Sequence, residues 1–443
     1  MLLLVVLIIP SIWLFVVKME KEKPVLEEGL SIGFIGSSNQ FNLRISDQKS
    51  GIKKVWVGLI KDGKEVTVLE KEFPLQGWLE GGRMKEVDVK VDIAPGQLNI
   101  SDGAAIVKIA IWDYSWRKWG DGNSTYVEKE VKIDTKPPVI EVLSNVHNIA
   151  QGGSGLVIYR INEVCDRSGI KVGDTLFPGH SGNFKDEGIH LAFFALNYEQ
   201  GPGTKVYLEA RDLAGNTGKA GIPIHINGRK FKKDVINISD RFLNWKIPEL
   251  EKGASGTGGQ SLIDKFLKIN RDDREANAKK VFERTAVTES RMMWSGVFGR
   301  FPRSQNRAGF ADHRSYKYKG KVVDHQVHLG VDLASTAQSP VPAANSGKVI
   351  FAEFVGIYGN TVILDHGFGL FSLYSHLSSI GVAPDQLVKK GEILGKTGKT
   401  GLAGGDHLHF SIIIHNTFVN PLEWWDGTWI KNNITSKINA VKN

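Results

Sequence analysis

The chain has 443 residues, enough for about three domains. Its formal net charge is +8, with 23% charged and 41% hydrophobic residues. This is a globular composition, and the basic excess is not gathered into a cluster with interleaved aromatics, so nucleic acid is not an expected partner. The single cysteine, Cys165, excludes an intrachain disulfide framework and a cysteine-based metal site.

Residues 1–17 are apolar apart from Ser11, and the charged run Lys18-Met-Glu-Lys-Glu-Lys23 ends them. No small-residue cleavage site follows. The expected element over 1–23 is a signal-anchor or transmembrane segment. It would use the cytoplasmic membrane as a partner and hold the rest of the chain outside the cytoplasm. Basic residues follow the apolar run and none precedes it, which by the positive-inside rule favours the opposite orientation. That conflict is consistent with a basic leader upstream of Met1.

Residues 24–135 alternate apolar and polar side chains in short runs such as Phe41-Asn-Leu-Arg-Ile45, Val87-Asp-Val-Lys-Val-Asp-Ile93 and Val107-Lys-Ile-Ala-Ile111. Period-two alternation at this spacing predicts a β-sandwich. Residues 136–228 repeat the plan after Lys136-Pro-Pro-Val139: Asp166-Arg-Ser-Gly-Ile-Lys171 echoes Asp47-Gln-Lys-Ser-Gly-Ile-Lys53. The turns look like those of bacterial immunoglobulin-like repeats. Asp166, Asp212 and Asn216 are read as turn residues capping their own backbone rather than as calcium ligands. Both blocks are expected to act as spacers.

The segment 229–294 is read as a linker with a helical connector. Gly253-Ala-Ser-Gly-Thr-Gly-Gly259 is a flexible joint. Ser261 and Asp264 approximate a capping box, followed by apolar Leu262, Ile263, Phe266 and Leu267. This element is expected near the active-site groove.

Residues 295–430 hold the chemistry, with 431–443 left as a tail. His328-Leu-Gly-Val-Asp332 spaces a histidine and a carboxylate so that they share a face. His376 lies in Leu373-Tyr-Ser-His-Leu377, and Asp406-His-Leu-His-Phe410 sets His407 and His409 on one face of an expected strand. Two imidazoles and one carboxylate make the three-ligand set of a catalytic zinc, which keeps a fourth position open for water. Neither an H-E-x-x-H helix nor a G-x-S-x-G elbow occurs in the sequence.

These motifs, together with Gly359-Asn-Thr-Val-Ile-Leu-Asp-His-Gly367, Val388-Lys-Lys-Gly-Glu-Ile-Leu-Gly395 and Val419-Asn-Pro421, resemble the lysostaphin-type (LytM-like) zinc metalloendopeptidases that cut peptidoglycan. The resemblance covers about Gly299 to Trp425. It implies a C-terminal antiparallel β LytM-type peptidase domain, which with the two immunoglobulin-like β-sandwiches and the short helical connector read above makes a mainly β chain. It also implies one Zn²⁺ per chain held by His328, Asp332 and His409, with His376 and His407 as the catalytic pair. The substrate would be peptidoglycan and the location the bacterial cell envelope. The other reading, from degenerate relatives, is a non-hydrolytic wall-binding activator of a separate amidase. Asp312 and His313, in the place of the family's entry loop, are ligands by type and are not expected on the metal.

Overall fold

The computed structural model describes residues 12–27, 29–77, 80–251 and 261–442. The chain is mainly β and divides into two compact units, one of residues 1–138 with 211–217, the other of 139–210 with 218–443. Residues 1–11 of the expected anchor and the joint at 253–259 lie outside the described residues. Among those described, no helix is long and apolar enough to cross a membrane.

In the first unit, alternation becomes burial. Along Glu86–Ile93, Val89, Val91 and Ile93 point inward while Asp88, Lys90 and Asp92 face solvent. This strand pairs with Asn39–Ser46 in a three-stranded sheet. A five-stranded sheet lies opposite, with Ser124–Ile133, Gly103–Asp113 and Ile52–Lys61 at its centre. Leu43, Ile45, Val89 and Val91 of one sheet share a core with Val55, Val57, Val107 and Ile109 of the other. The expected β-sandwich is therefore present. The Asp212–Asn216 turn caps itself as read: Asn216 N–H donates to Asp212 Oδ1 at 2.8 Å, and its side-chain amide donates to Asp212 Oδ2 at 2.8 Å.

The second unit begins with another pair of sheets. One is built from Ile140–Val142, Ser154–Ile161 and Ile189–Ala195; the other from Thr175–Pro178, Cys165–Val172, Val206–Asp212 and Thr217–Gly221. This block is not a free-standing spacer. It shares a core with the C-terminal domain: Phe193 packs on Trp424 with centroids 6.2 Å apart, and Ser154 N–H donates to buried Glu423 at 3.0 Å. The expected tail is ordered too. Ser436–Lys442 is helical, and buried Lys437 donates to the Leu156 carbonyl at 2.9 Å.

Among its described residues the connector holds three α-helices, Asp240–Leu250, Leu262–Lys268 and Arg274–Arg284. Ser261 caps the second, accepting Asp264 N–H at 3.3 Å. The sequence reading missed a strand here. Lys233–Ile238 pairs in parallel with Asp312–Tyr318, which pairs antiparallel with Lys321–His328. Its alternation is too short and too polar to stand out from a linker. Beside this small sheet lies the main eight-stranded sheet, in which Leu408–Ile414 runs between Val331–Ala334 and Leu370–Leu377.

Candidate metal centre

Register brings the candidate residues together. Asp332 stands directly opposite His409 across the antiparallel ladder, and Ser375 pairs with His409 on its other side. His328 ends the strand Lys321–His328, three residues before Val331–Ala334 begins. Gly330 makes the turn between them possible. A Cβ there would lie 2.5 Å from both His409 Nε2 and Ser411 Oγ, closer than real atoms approach.

Asp332 Oδ1 lies 2.9 Å from His328 Nε2 and 3.0 Å from His409 Nδ1, and those two nitrogens are 3.0 Å apart. Ligand atoms sharing one tetrahedral ion at about 2.0–2.1 Å would stand roughly 3.3 Å apart, so the triangle is the right size. Hydrogen bonds on the far side of each ring fix its tautomer. His328 Nδ1–H donates to the Gly309 carbonyl at 2.8 Å, leaving the Nε2 lone pair facing the centre. Ser411 Oγ donates to the Leu329 carbonyl at 2.8 Å, which leaves its oxygen free to accept His409 Nε2–H at 3.0 Å. His409 thus turns its Nδ1 lone pair inward. Two neutral imidazoles and a carboxylate, each with a lone pair on one point and a partner behind the ring, fit a metal ion.

Electrostatics agree with that fit. Burial pushes Asp332 up, but the imidazoles of His328, His407 and His409 packed around it hold it well below the usual carboxylate range, so it is a carboxylate. Burial lowers His409 to about 4, against the opposing pull of Asp332.

His376 and His407 flank the triangle, with ring centroids 4.8 Å apart. Each commits Nδ1–H to the backbone, His376 to the Thr400 carbonyl at 2.9 Å and His407 to the Gly405 carbonyl at 2.8 Å, so each presents Nε2. His376 holds φ +63°, a costly conformation for a side-chain-bearing residue and one that concentrates at functional sites. His407 Nε2 is 3.6 Å from Asp332 Oδ1.

A cavity of about 340 Å³ opens on all five residues. Its walls include Arg314, Tyr358 and Leu402, and the connector contributes Ile236, Phe242, Phe266 and Arg274. The connector therefore lies at the groove, as expected. It is tied to the loops that wall the site: Lys246 Nζ donates to the Lys399 carbonyl, Gly401 N–H donates to Glu249 at 2.8 Å, and Ile357 N–H donates to Asn277 at 2.8 Å.

Other candidates lie elsewhere. Asp312 is buried and accepts Gly309 N–H at 2.8 Å, and His313 is exposed and packs edge-on against Tyr198. His415 stacks on His180 with centroids 5.4 Å apart. Sequence reasoning missed Arg314, Ser411 and the Gly309 carbonyl, all brought in by folding.

The family description Peptidase family M23 matches residues 326–421, a span that contains all five residues. Residues 326–421 form a peptidase family M23 domain. The M23 domain is of the LytM or lysostaphin type, as the sequence motifs suggested. The DD-carboxypeptidase/endopeptidase Mpg of Neisseria meningitidis serogroup B is 38% identical over 97 residues, 22% of this chain and 22% of that protein. The peptidoglycan DD-endopeptidase ShyB of Vibrio cholerae is 33% identical over 131 residues, 29% of this chain and 30% of that protein. The chain thus spans less than a third of the length of the curated relatives it matches. The catalytic domain of the antimicrobial peptidase lysostaphin from Staphylococcus simulans aligns with 28% of this chain and 92% of its own length, at 28% identity and a TM-score of 0.24.

Proposed function

We propose that this chain is a zinc-dependent endopeptidase of the bacterial cell envelope that hydrolyses peptide bonds in peptidoglycan cross-links or stem peptides. The observation that carries this reading is the His328–Asp332–His409 triangle, its lone pairs converging beside two further imidazoles in an open cavity. His328, Asp332 and His409 would hold the ion. Bound there, zinc would supply Lewis acidity toward the scissile carbonyl and bring the pKa of water to about 7.

His376 and His407 do the proton work. Each offers Nε2 to the cavity, so one accepts a proton from the attacking water and the other donates to the developing oxyanion or the leaving amine. Their Nδ1–H bonds to Thr400 and Gly405 keep both rings turned to that task.

The relatives named peptidoglycan DD-endopeptidase make the DD cross-link the first substrate to test. The apolar run at 1–17 would tether the chain at the membrane, with the M23 domain facing the wall. The deciding experiment incubates the purified full chain with peptidoglycan sacculi, following zinc content and newly exposed amines. One zinc per chain with amine release that chelation abolishes supports the proposal. Full metal loading with no release from any sacculus supports the amidase-activator reading instead.

A further inference from the structure

The two oxygens of Asp332 have separate neighbours. Oδ1 faces His328 and His409 at 2.9 and 3.0 Å, with His407 at 3.6 Å. Oδ2 receives Arg314 Nη2–H at 2.9 Å. Arg314 sits in the middle strand of the small sheet, opposite Asp234 of the connector on one side and Gln326 on the other. Its side chain is only 19% exposed, and its Nε–H is buried without a partner. Burying a guanidinium so incompletely bonded is costly, which argues against mere surface pairing.

We infer that Arg314 is a positioning residue of the metal centre: by holding Oδ2, it leaves Asp332 to offer the metal Oδ1 alone. This rests on the zinc reading and deepens it. A carboxylate with both oxygens free can swing to bind an ion through both, using up the position that water needs. Arg314 blocks that rotation. The connector enters the same chain of contacts, because Lys233–Ile238 braces the strand that carries Arg314.

The test uses the full chain, stripped with a chelator, as wild type, Arg314→Met and Arg314→Lys. Zinc affinity is read by competition with a chromogenic chelator, and the visible spectrum is read after loading with Co²⁺. Arg314→Met is expected to bind zinc about 10–100-fold more weakly, the usual effect of losing a partner behind a ligand. Its Co²⁺ absorption should weaken as the freed carboxylate adds a second bond. Arg314→Lys, which keeps one donor, should recover part of the affinity. Wild-type affinity and spectrum in Arg314→Met would overturn the inference. If that variant does not fold, Arg314→Lys decides: a several-fold loss supports the role and parity overturns it. A wild-type chain that takes up no zinc defeats the metal reading itself, and this inference with it.

Discussion

Asp332 and His409 are direct cross-strand neighbours, and their side chains meet with Oδ1 and Nδ1 3.0 Å apart. Residues 77 positions apart are thereby held in one ladder step. A one-residue slip of Leu408–Ile414 would turn His409 to the opposite face. What prevents the slip is burial on both faces: Leu408, Phe410, Ile412 and Ile414 lie in one core cluster and Ile413 in another.

Asp332→Ala should abolish both metal binding and amine release. It removes one corner of the triangle and leaves Arg314 buried beside two imidazoles with no counter-charge. Elemental analysis of the dialysed protein, alongside the sacculus assay, checks this. A variant that keeps one tightly bound zinc would refute the assigned ligand set.

Ser411→Ala should leave the fold intact yet weaken metal binding about 10–100-fold. The hydroxyl relays the Leu329 carbonyl to His409 Nε2–H, and without it the ring can flip or change tautomer. Chelator competition reads the change, and undiminished affinity would show that packing alone orients His409.

His376→Ala and His407→Ala should retain zinc while amine release falls about 10²–10⁴-fold, the usual worth of a general acid or base. Metal content and rate are measured on the same preparation. Loss of zinc in either variant would move that residue from proton transfer to metal holding.

Glu423 predicts a pH dependence of stability. Burial raises its pKa from 4.5 to about 7, against the opposing hydrogen bond from Ser154 and the charge of Arg229. The folded chain therefore keeps a proton that the unfolded chain has lost between about pH 4.5 and 7. Stability should fall as pH rises across that window, by roughly 3 kcal/mol at most, and the loss should persist above it. Glu423→Gln can still accept Ser154 N–H and does not titrate, so its unfolding midpoint should drop less between pH 5 and pH 8. Equal drops in both chains would show that Glu423 is ionised throughout.

The sequence by itself determined the candidate residues and the local elements. His328, Asp332, His376, His407 and His409 stand in short motifs, and alternation such as Val87 to Ile93 marks strands, because both signals lie within one segment of chain, although His328 and Asp332 fall on two strands with the Gly330 turn between them. Only the tertiary structure decided what surrounds them. Arg314 and Ser411 act through partners 18 and 82 positions away, and Lys233–Ile238 is a strand only because Asp312–Tyr318 offers it an edge. The second sandwich became part of the same compact unit as the M23 domain when Phe193 and Ser154 found Trp424 and Glu423. Such contacts bury apolar surface and satisfy polar groups between distant segments, and no periodicity along the chain encodes which segments will meet.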